Sequence, residues 1–368
     1  MVSLPKFSFK KIFIIQSKKH FPGLDGLRGI AAMCVVFSHI GLSLSKFGGS
    51  SISSEAFAGL GVTLFFVLSG YLITFLLLQE KNVRSKISVR SFYIRRIIRI
   101  WPAYYLVIIL SLAALYFFDG QIENKSSLFY YVFFLPNVPL ALGATVSTMG
   151  HLWSIGVEEQ FYAVWPWLLK HVKKLLVVFI GIVVAYMLLK VVFKYYGSNS
   201  LYAFWYYLRF DCMAIGGIGA LLVHQKDKRL SFFYNKAVCW ISIAVCAFSF
   251  YSVINIPLLK EELYAVVFLV IILNVSSNPS SPVKTDNSLL RYFGKISYGI
   301  YLYHPLMIYL TVLLCERFAL QNFFKTTWYI PVYVIVIAFT IIIAQLSYLL
   351  MEQRFLRLKE RFSKLQGF

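Results

Sequence analysis

Acidic side chains are scarce in this sequence: 15 Asp and Glu stand against 36 Lys and Arg, and charged residues of either sign fill only 14% of its 368 positions. A water-soluble chain of this length needs far more polar surface. With 59% hydrophobic residues and a mean hydropathy of +0.72, the sequence reads as a polytopic membrane protein. Metal-binding patterns are missing too. The five cysteines (Cys34, Cys212, Cys239, Cys246, Cys315) are odd in number, scattered through or beside apolar segments, and form no CxxC or Cys/His spacing. Neither a zinc site nor a disulfide framework is implied, and no metal is expected. The N-terminal stretch MVSLPKFSFKKIFIIQSKKH lacks a long apolar core followed by a small-residue cleavage site. It reads as a basic cytoplasmic tail, not a cleaved signal peptide. No internal repeat is visible, and no pair of broken segments in matched halves, which weighs against a transporter built of two halves.

What the sequence does have is apolar runs. They fall at about 24–43, 59–78, 102–118, 151–169, 175–193, 202–223, 237–253, 262–275, 296–315 and 328–351. That is about ten spans of ~20 residues, each long enough to cross a bilayer as a helix. The stretch SLFYYVFFLPNVPLALG (127–143) is too short and too proline-broken for a span, so it reads as a re-entrant or interfacial piece. Alternating the spans from a cytoplasmic N-terminus tests the plan. Segments 1–28, 79–99, 170–174, 224–236, 276–295 and 353–368 then face inward and hold 28 of the 36 Lys and Arg, against 6 in the outer loops. This bias fits the positive-inside rule and places both ends in the cytoplasm. It also accounts for the net charge of +21 without nucleic acid. The expectation is an all-α integral membrane protein: a tail at 1–23, a transmembrane domain at 24–352 and a tail at 353–368.

In the first span, LDGLRGIAAMCVVFSH, only Arg28 and His39 interrupt a run that is otherwise apolar after Asp25. Eleven residues turn a helix by about 1100°, within roughly 20° of three full turns, so both side chains share a face. They sit ~16 Å apart along the axis, about half a bilayer core. Ionisable groups in lipid are costly and usually functional. By the same depth estimate Glu159 and His304 lie ~12 Å from the outer and inner ends of their spans, close to the level of His39. Glu158 and Glu159 point about 100° apart, so at most one faces a given neighbour, and spacing does not choose between them. An apolar, aromatic setting such as WSIGVEEQFY suits a carboxyl for proton transfer.

At the inner mouth of the third span Arg95 and Arg99 stand at i,i+4 with Arg96 on the adjoining flank. Crowded guanidiniums repel unless an anion is nearby, and arginine grips phosphate bidentately. With Arg28 they form a cytoplasmic anion site. Arg209 and Asp211 are two apart and cannot pair on a regular helix, so each needs a partner on another span. The string Gly216-Gly217-Ile218-Gly219 follows no strand and reads as close helix packing. His304-Pro305 reads as a kink beside a hydrogen-bonded histidine. His20, His171 and His224 sit in basic stretches as ordinary surface residues.

Four stretches together resemble the acyltransferase-3 family of bacterial membrane O-acyltransferases: Arg28-x10-His39, GVTLFFVLSGYLI, RRIIRIWP, and HLWSIGVEEQFY with the later ISYGIYLYHP. They run from about 21 to 305 in the family's order. The resemblance implies an enzyme that takes an acyl group, commonly acetyl, from cytoplasmic acyl-CoA to a hydroxyl of a cell-envelope glycan or lipid-linked saccharide. It implies that Arg28 and His39 are essential, that His39 sits at the acyl-transfer centre, and that Arg95, Arg96 and Arg99 hold the donor. It favours Glu159 over Glu158 as the carboxyl that orients or relays protons for His39. One departure stands out: many members carry an acidic residue where this chain has Thr63. Some members add an extracytoplasmic esterase-like domain; this chain is expected to work alone or with a partner. The competing expectation is a proton-coupled transporter that uses His39 and Glu159 as a relay.

Overall fold

A computed structural model describes residues 21–45, 55–249, 252, 254–318 and 329–355. Most of each expected tail, including His20, lies outside the described residues. Helix α1 (Pro22–Ser45) opens on a proline, which lacks only an N–H that has no intrahelical partner there, and carries Asp25 in its first turn. Helix α2 (Glu55–Arg84) ends on Lys81 and Arg84, cations suited to the carbonyl end. Helix α3 (Val89–Asp119) is capped at both ends: Ser88 accepts the Ser91 N–H at its start, and Gly120 adopts φ +70° at its close.

The short helices α4 (Leu128–Val132) and α5 (Asn137–Ala141) occupy the segment expected to be re-entrant. The chain reverses between them at Phe134 (φ +58°) and Pro136. They fold back onto α6 (Trp153–His171), where fully buried Asn137 accepts the Gln160 side-chain amide at 2.8 Å. Helix α7 (Leu175–Tyr196) follows. The sixth expected span is not one helix but two, α8 (Asn199–Leu208) and α9 (Phe210–Gln225), broken at Arg209 with φ +49°. Its freed backbone N–H donates to Tyr186 Oη at 2.9 Å, so the break leaves no buried donor unsatisfied there. The rest is α10 (Leu230–Phe233), α11 (Lys236–Ser249), α12 (Lys260–Ser277), α13 (Ser288–Arg317) and α14 (Tyr329–Ser347), which passes into a π-turn at Tyr348–Glu352.

Helices stand at all ten expected positions, and no strand occurs among the described residues. Seven of them are long and apolar enough to cross a membrane, which is fewer than the ten expected. The others fall short for plain reasons. Helix α6 carries Glu158, Glu159 and Gln160, α11 has 14 residues, and α12 opens on Lys260-Glu261-Glu262.

Two helix pairs make the closest contacts, α2 with α9 and α1 with α13, and α1 also packs on α2. Glycine is required where backbones touch. A side chain on Gly70 would strike the Met213 backbone, and one on Gly216 would strike the Val67 carbonyl. Gly70→Val is therefore expected to lower stability by about 3 kcal/mol, read as the thermal unfolding midpoint of the purified protein. Gly29 lies against Phe293 and Gly294, and ten residues beyond Gly29 on α1, His39 meets His304. Residue numbers thus rise together along α1 and α13, which run parallel. That agrees with the first and ninth spans crossing in the same sense.

The expected partner of Arg209 is found on another helix. Its guanidinium lies 3.5 Å from Glu261, which with Glu262 also holds Lys190 of α7 at 3.5 and 2.8 Å. Arg209 reaches Thr63 Oγ1 as well, at 3.4 Å. The hydroxyl thus stands where a carboxylate would give Arg209 a second counter-ion, and Glu261 supplies one instead.

Candidate active site

Arg28, Arg96, Arg99 and Glu158 line one cavity of about 100 Å³ between α1, α2, α3, α6 and α13. Ser69, Ser154, Ser297, Tyr162, Tyr298 and Tyr301 complete its polar wall, and Phe65, Phe66, Ile100 and Ile155 its apolar one. Three of these charged groups have clear partners. Arg28 Nη1 donates to Asp25 Oδ1 at 2.8 Å. The Arg96 guanidinium lies over the rings of Tyr162 and Phe92, at 5.3 and 5.7 Å, and its buried Nε has no hydrogen-bond partner. Glu158 accepts from Ser69 at 2.5 Å and from Tyr162 at 3.0 Å. Three cations around one carboxylate leave the cavity with a net positive charge, in surroundings where charge is poorly screened. Such a cavity favours an anion with several oxygens.

One turn further along α13 lies a cluster of three histidines. His39 Nδ1 and His304 Nε2 are 2.8 Å apart, with the rings stacked at 5.0 Å. His304 Nδ1 lies 2.8 Å from the Tyr301 carbonyl oxygen. These contacts fix the protons. A carbonyl only accepts, so His304 Nδ1 carries the hydrogen and, in the neutral ring, Nε2 is bare. His39 must then donate from Nδ1, which leaves its Nε2 as the basic nitrogen. Pro305 makes this possible. In a regular helix the N–H of residue 305 would bond to the Tyr301 carbonyl, and proline has none to give. The motif that reads as a kink therefore frees the acceptor that orients His304. Pro305→Ala supplies a competing N–H, and is expected to cut activity about tenfold while leaving stability equal or higher, since interior proline costs a helix about 3 kcal/mol. Transfer rate and unfolding midpoint, measured together, check this.

The third histidine, His151, stands in the short 3₁₀ turn Gly150–Leu152 that leads into α6. Its Nε2 donates to the Leu302 carbonyl at 3.1 Å, and its ring meets His304 edge-on at 5.2 Å. Ser154 and Tyr301 hydroxyls are 2.6 Å apart, and Tyr301 Oη donates to the His151 carbonyl at 3.0 Å. Tyr301 is the residue common to both centres: its ring lines the arginine cavity and its carbonyl holds His304. Among the described residues, no group of three or more His, Cys, Asp or Glu is arranged to hold a metal.

The sequence-based expectations sort unevenly. Arg28 lines the cavity that α13 helps to wall and His39 meets His304 of α13, in keeping with the shared face that their spacing predicts. Of the arginine trio only Arg96 and Arg99 reach the cavity; Arg95 turns away to pair with buried Glu80 at 3.1 Å. Glu158 lines the cavity, whereas Glu159 accepts from Trp101 at 3.3 Å and leaves Oε1 unpartnered. None of the hydrogen bonds of Glu159 reaches His39, whose orienting partner is His304. His151 carried no expectation at all. Its signal was available in the same motif as the carboxylates, HLWSIGVEEQFY, but nothing in one sequence says that the residue before a helix folds back onto another.

A family model described as "Acyltransferase domain" matches residues 21–349. The chain is 29% identical over 91% of its length to "Peptidoglycan O-acetyltransferase OatA" of Listeria monocytogenes and covers 56% of that protein. It is 30% identical over 92% of its length to "Putative O-acetyltransferase SACOL0978" of Staphylococcus aureus, and covers 57% of it. It is 29% identical over 92% of its length to "Putative peptidoglycan O-acetyltransferase YrhL" of Bacillus subtilis, and covers 55% of it. The chain thus spans little more than half the length of the curated relatives it matches. No solved structure matches it significantly.

Proposed function

Because the chain belongs to the acyltransferase-3 family of bacterial membrane O-acyltransferases, we propose that it moves an acetyl group from cytoplasmic acetyl-CoA to a hydroxyl of a cell-envelope glycan. The observation that carries this reading is the pairing of an arginine-lined cavity with a basic imidazole one helical turn beyond it, joined through Tyr301. The names of the relatives support a peptidoglycan-type acceptor, and the inner membrane is the compartment in which cytoplasmic donor and envelope acceptor meet.

The cavity holds a phosphate-sized anion or a slender arm, not a whole nucleotide. The nucleotide of acetyl-CoA therefore docks at its inner mouth, its phosphates on Arg96, Arg99 and Arg28, and the pantetheine arm runs inward past Tyr301. At the thioester His39 Nε2 takes the proton of the acceptor hydroxyl as its oxygen attacks the carbonyl carbon. The C–S bond breaks, and the departing thiolate recovers the proton from His39 as the free thiol. His304 accepts from His39 Nδ1 throughout and keeps Nε2 aimed at the reacting oxygen. Transient acylation of the same Nε2, followed by transfer to the hydroxyl, uses the same geometry. Glu158 keeps Arg96 and Tyr162 in place from within the cavity. Glu159 lies outside the cavity beside Trp101 and has one oxygen without a partner.

The test is purified protein in lipid nanodiscs with radiolabelled acetyl-CoA and chitin or peptidoglycan fragments. Base-labile label on the glycan is expected. No transfer, with glycan or proton movement into vesicles that is independent of CoA, would instead favour the transporter.

A further inference from the structure

His151 is buried at 6% exposure, and its hydrogen-bond accounting does not close. Nε2 carries the proton, because it faces the Leu302 carbonyl, which only accepts. Nδ1 is then a bare acceptor, and it has no partner among the described residues. Buried acceptors of this kind are uncommon in folded proteins and call for a reason. The ring has little freedom to seek one elsewhere. Leu302 holds its Nε2, Tyr301 holds its backbone carbonyl, and His304 meets the ring edge-on.

His151 shares a layer with the proposed base. His39 and His151 pack on the same ring, His304, one stacked and one edge-on. His151 also stands at the end of α6 opposite Lys170 and His171. By the Lys and Arg bias that is the outer end, from which a glycan approaches. Two bare imidazole nitrogens on one polar layer accept hydrogen bonds from two donor groups.

We propose that His151 Nδ1 is the second contact point for the acyl acceptor. It takes a hydrogen bond from a donor group near the hydroxyl that gives its proton to His39, so the site selects a sugar presenting two neighbouring donors over a simple alcohol. This rests on the reading of His39 as the base for O-acetyl transfer. His151 therefore sets acceptor affinity and orientation, while the donor side of the reaction is left to the arginines.

Glutamine and asparagine separate this role from a structural one. His151→Gln keeps a donor where Nε2–H meets Leu302 and removes the Nδ1 acceptor. His151→Asn keeps an acceptor at the Nδ1 position and gives up the Leu302 bond. The experiment uses the full chain in nanodiscs, acetyl-CoA, methyl N-acetyl-β-glucosaminide, and analogues each lacking one hydroxyl or the acetamido N–H. In the wild type, deleting one donor besides the acetylated hydroxyl is expected to raise the acceptor KM about tenfold, the size of one lost hydrogen bond. His151→Gln is expected to raise the parent KM by a similar factor and to be indifferent to that deletion, with the KM for acetyl-CoA unchanged. His151→Asn stays within about threefold of the wild type.

A wild-type KM in His151→Gln overturns the proposal, as does equal loss in both variants or a shift confined to the KM for acetyl-CoA. If neither variant inserts, a flat analogue series on the wild type overturns it and a single sensitive position supports it. A wild type that binds the glycoside but forms no ester sinks the acetyl-transfer reading alone, and dissociation constants from calorimetry then replace KM in the same comparison. A wild type that does not bind the glycoside sinks both.

Discussion

His39→Ala is expected to lower acetyl transfer about 10³-fold while the protein still folds and inserts, a loss within the 10²–10⁴ range for a positioned proton-transfer group. The expectation follows from the tautomers. Pro305 frees the Tyr301 carbonyl, which fixes the proton on His304 Nδ1, and that fixes His39 with a bare Nε2. His304 has both nitrogens committed, and the bare Nδ1 of His151 is assigned to a second donor group of the acceptor. His304→Ala should cost less than His39→Ala, because the base remains and only its aim is lost. His39→Gln, which keeps size and polarity without basicity, should be as inactive as His39→Ala. Rates from initial ester formation, with thermal midpoints to confirm folding, check the series. An active His39→Gln would reduce His39 to packing.

The second large effect separates arginines that stand within one helical turn. Arg96→Ala and Arg99→Ala are each expected to raise the KM for acetyl-CoA tenfold to a hundredfold, the value of one charge-assisted hydrogen bond of about 1.5–3 kcal/mol. Arg95→Ala should leave that KM within about twofold. Its guanidinium is spent on Glu80, which is 2% exposed and also accepts the Ser88 N–H. Removing Arg95 strands a buried carboxylate and is expected to lower stability by about 3 kcal/mol. Arg95→Ala thus loses stability and keeps donor affinity, while Arg96→Ala does the reverse. Acetyl-CoA titrations and unfolding curves on the same preparations measure both. Equal effects on KM at the two neighbours would mean that the cavity is not the donor site.

How far the sequence speaks for itself depends on the range of the cause. Arg28 and His39 sit on one helix, and helical periodicity alone puts them on one face, so that relation is legible in a single line of residues. The order of apolar runs is equally local, and so is the proline break that turns 127–143 back on itself. The choice among Arg95, Arg96 and Arg99 is not local. It depends on how α3 is rotated against α6 and α13, and Glu80 on α2 settles which arginine turns away. The same holds for Glu158 and Glu159. Adjacent positions fix the angle between them but not which one meets Ser69. His304 was legible as a hydrogen-bonded histidine beside a kink, near the level of His39, but not as its partner, because a missing N–H shows its use only when the freed carbonyl has found its partner. The break at Arg209 has no sequence signal, since positive φ at arginine is imposed by the Tyr186 hydroxyl and the Glu261 carboxylate around it. Apolar runs alone do not fix the number of crossings. Seven helices among the described residues are long and apolar enough to cross, and the carboxylates at Glu158 and Glu159, and at Glu261 and Glu262, put two more below that mark.

The central claim is that one protein joins an inner donor pocket to an outer acceptor through His39. Proteoliposomes in which reconstituted protein separates acetyl-CoA from glycan test it most directly. With acetyl-CoA on the face bearing the arginines and the N-acetylglucosamine glycoside only on the other, O-acetylated glycoside is expected to accumulate outside, and none with His39→Ala. Product that forms only when both substrates share one side, or that persists without His39, would contradict it.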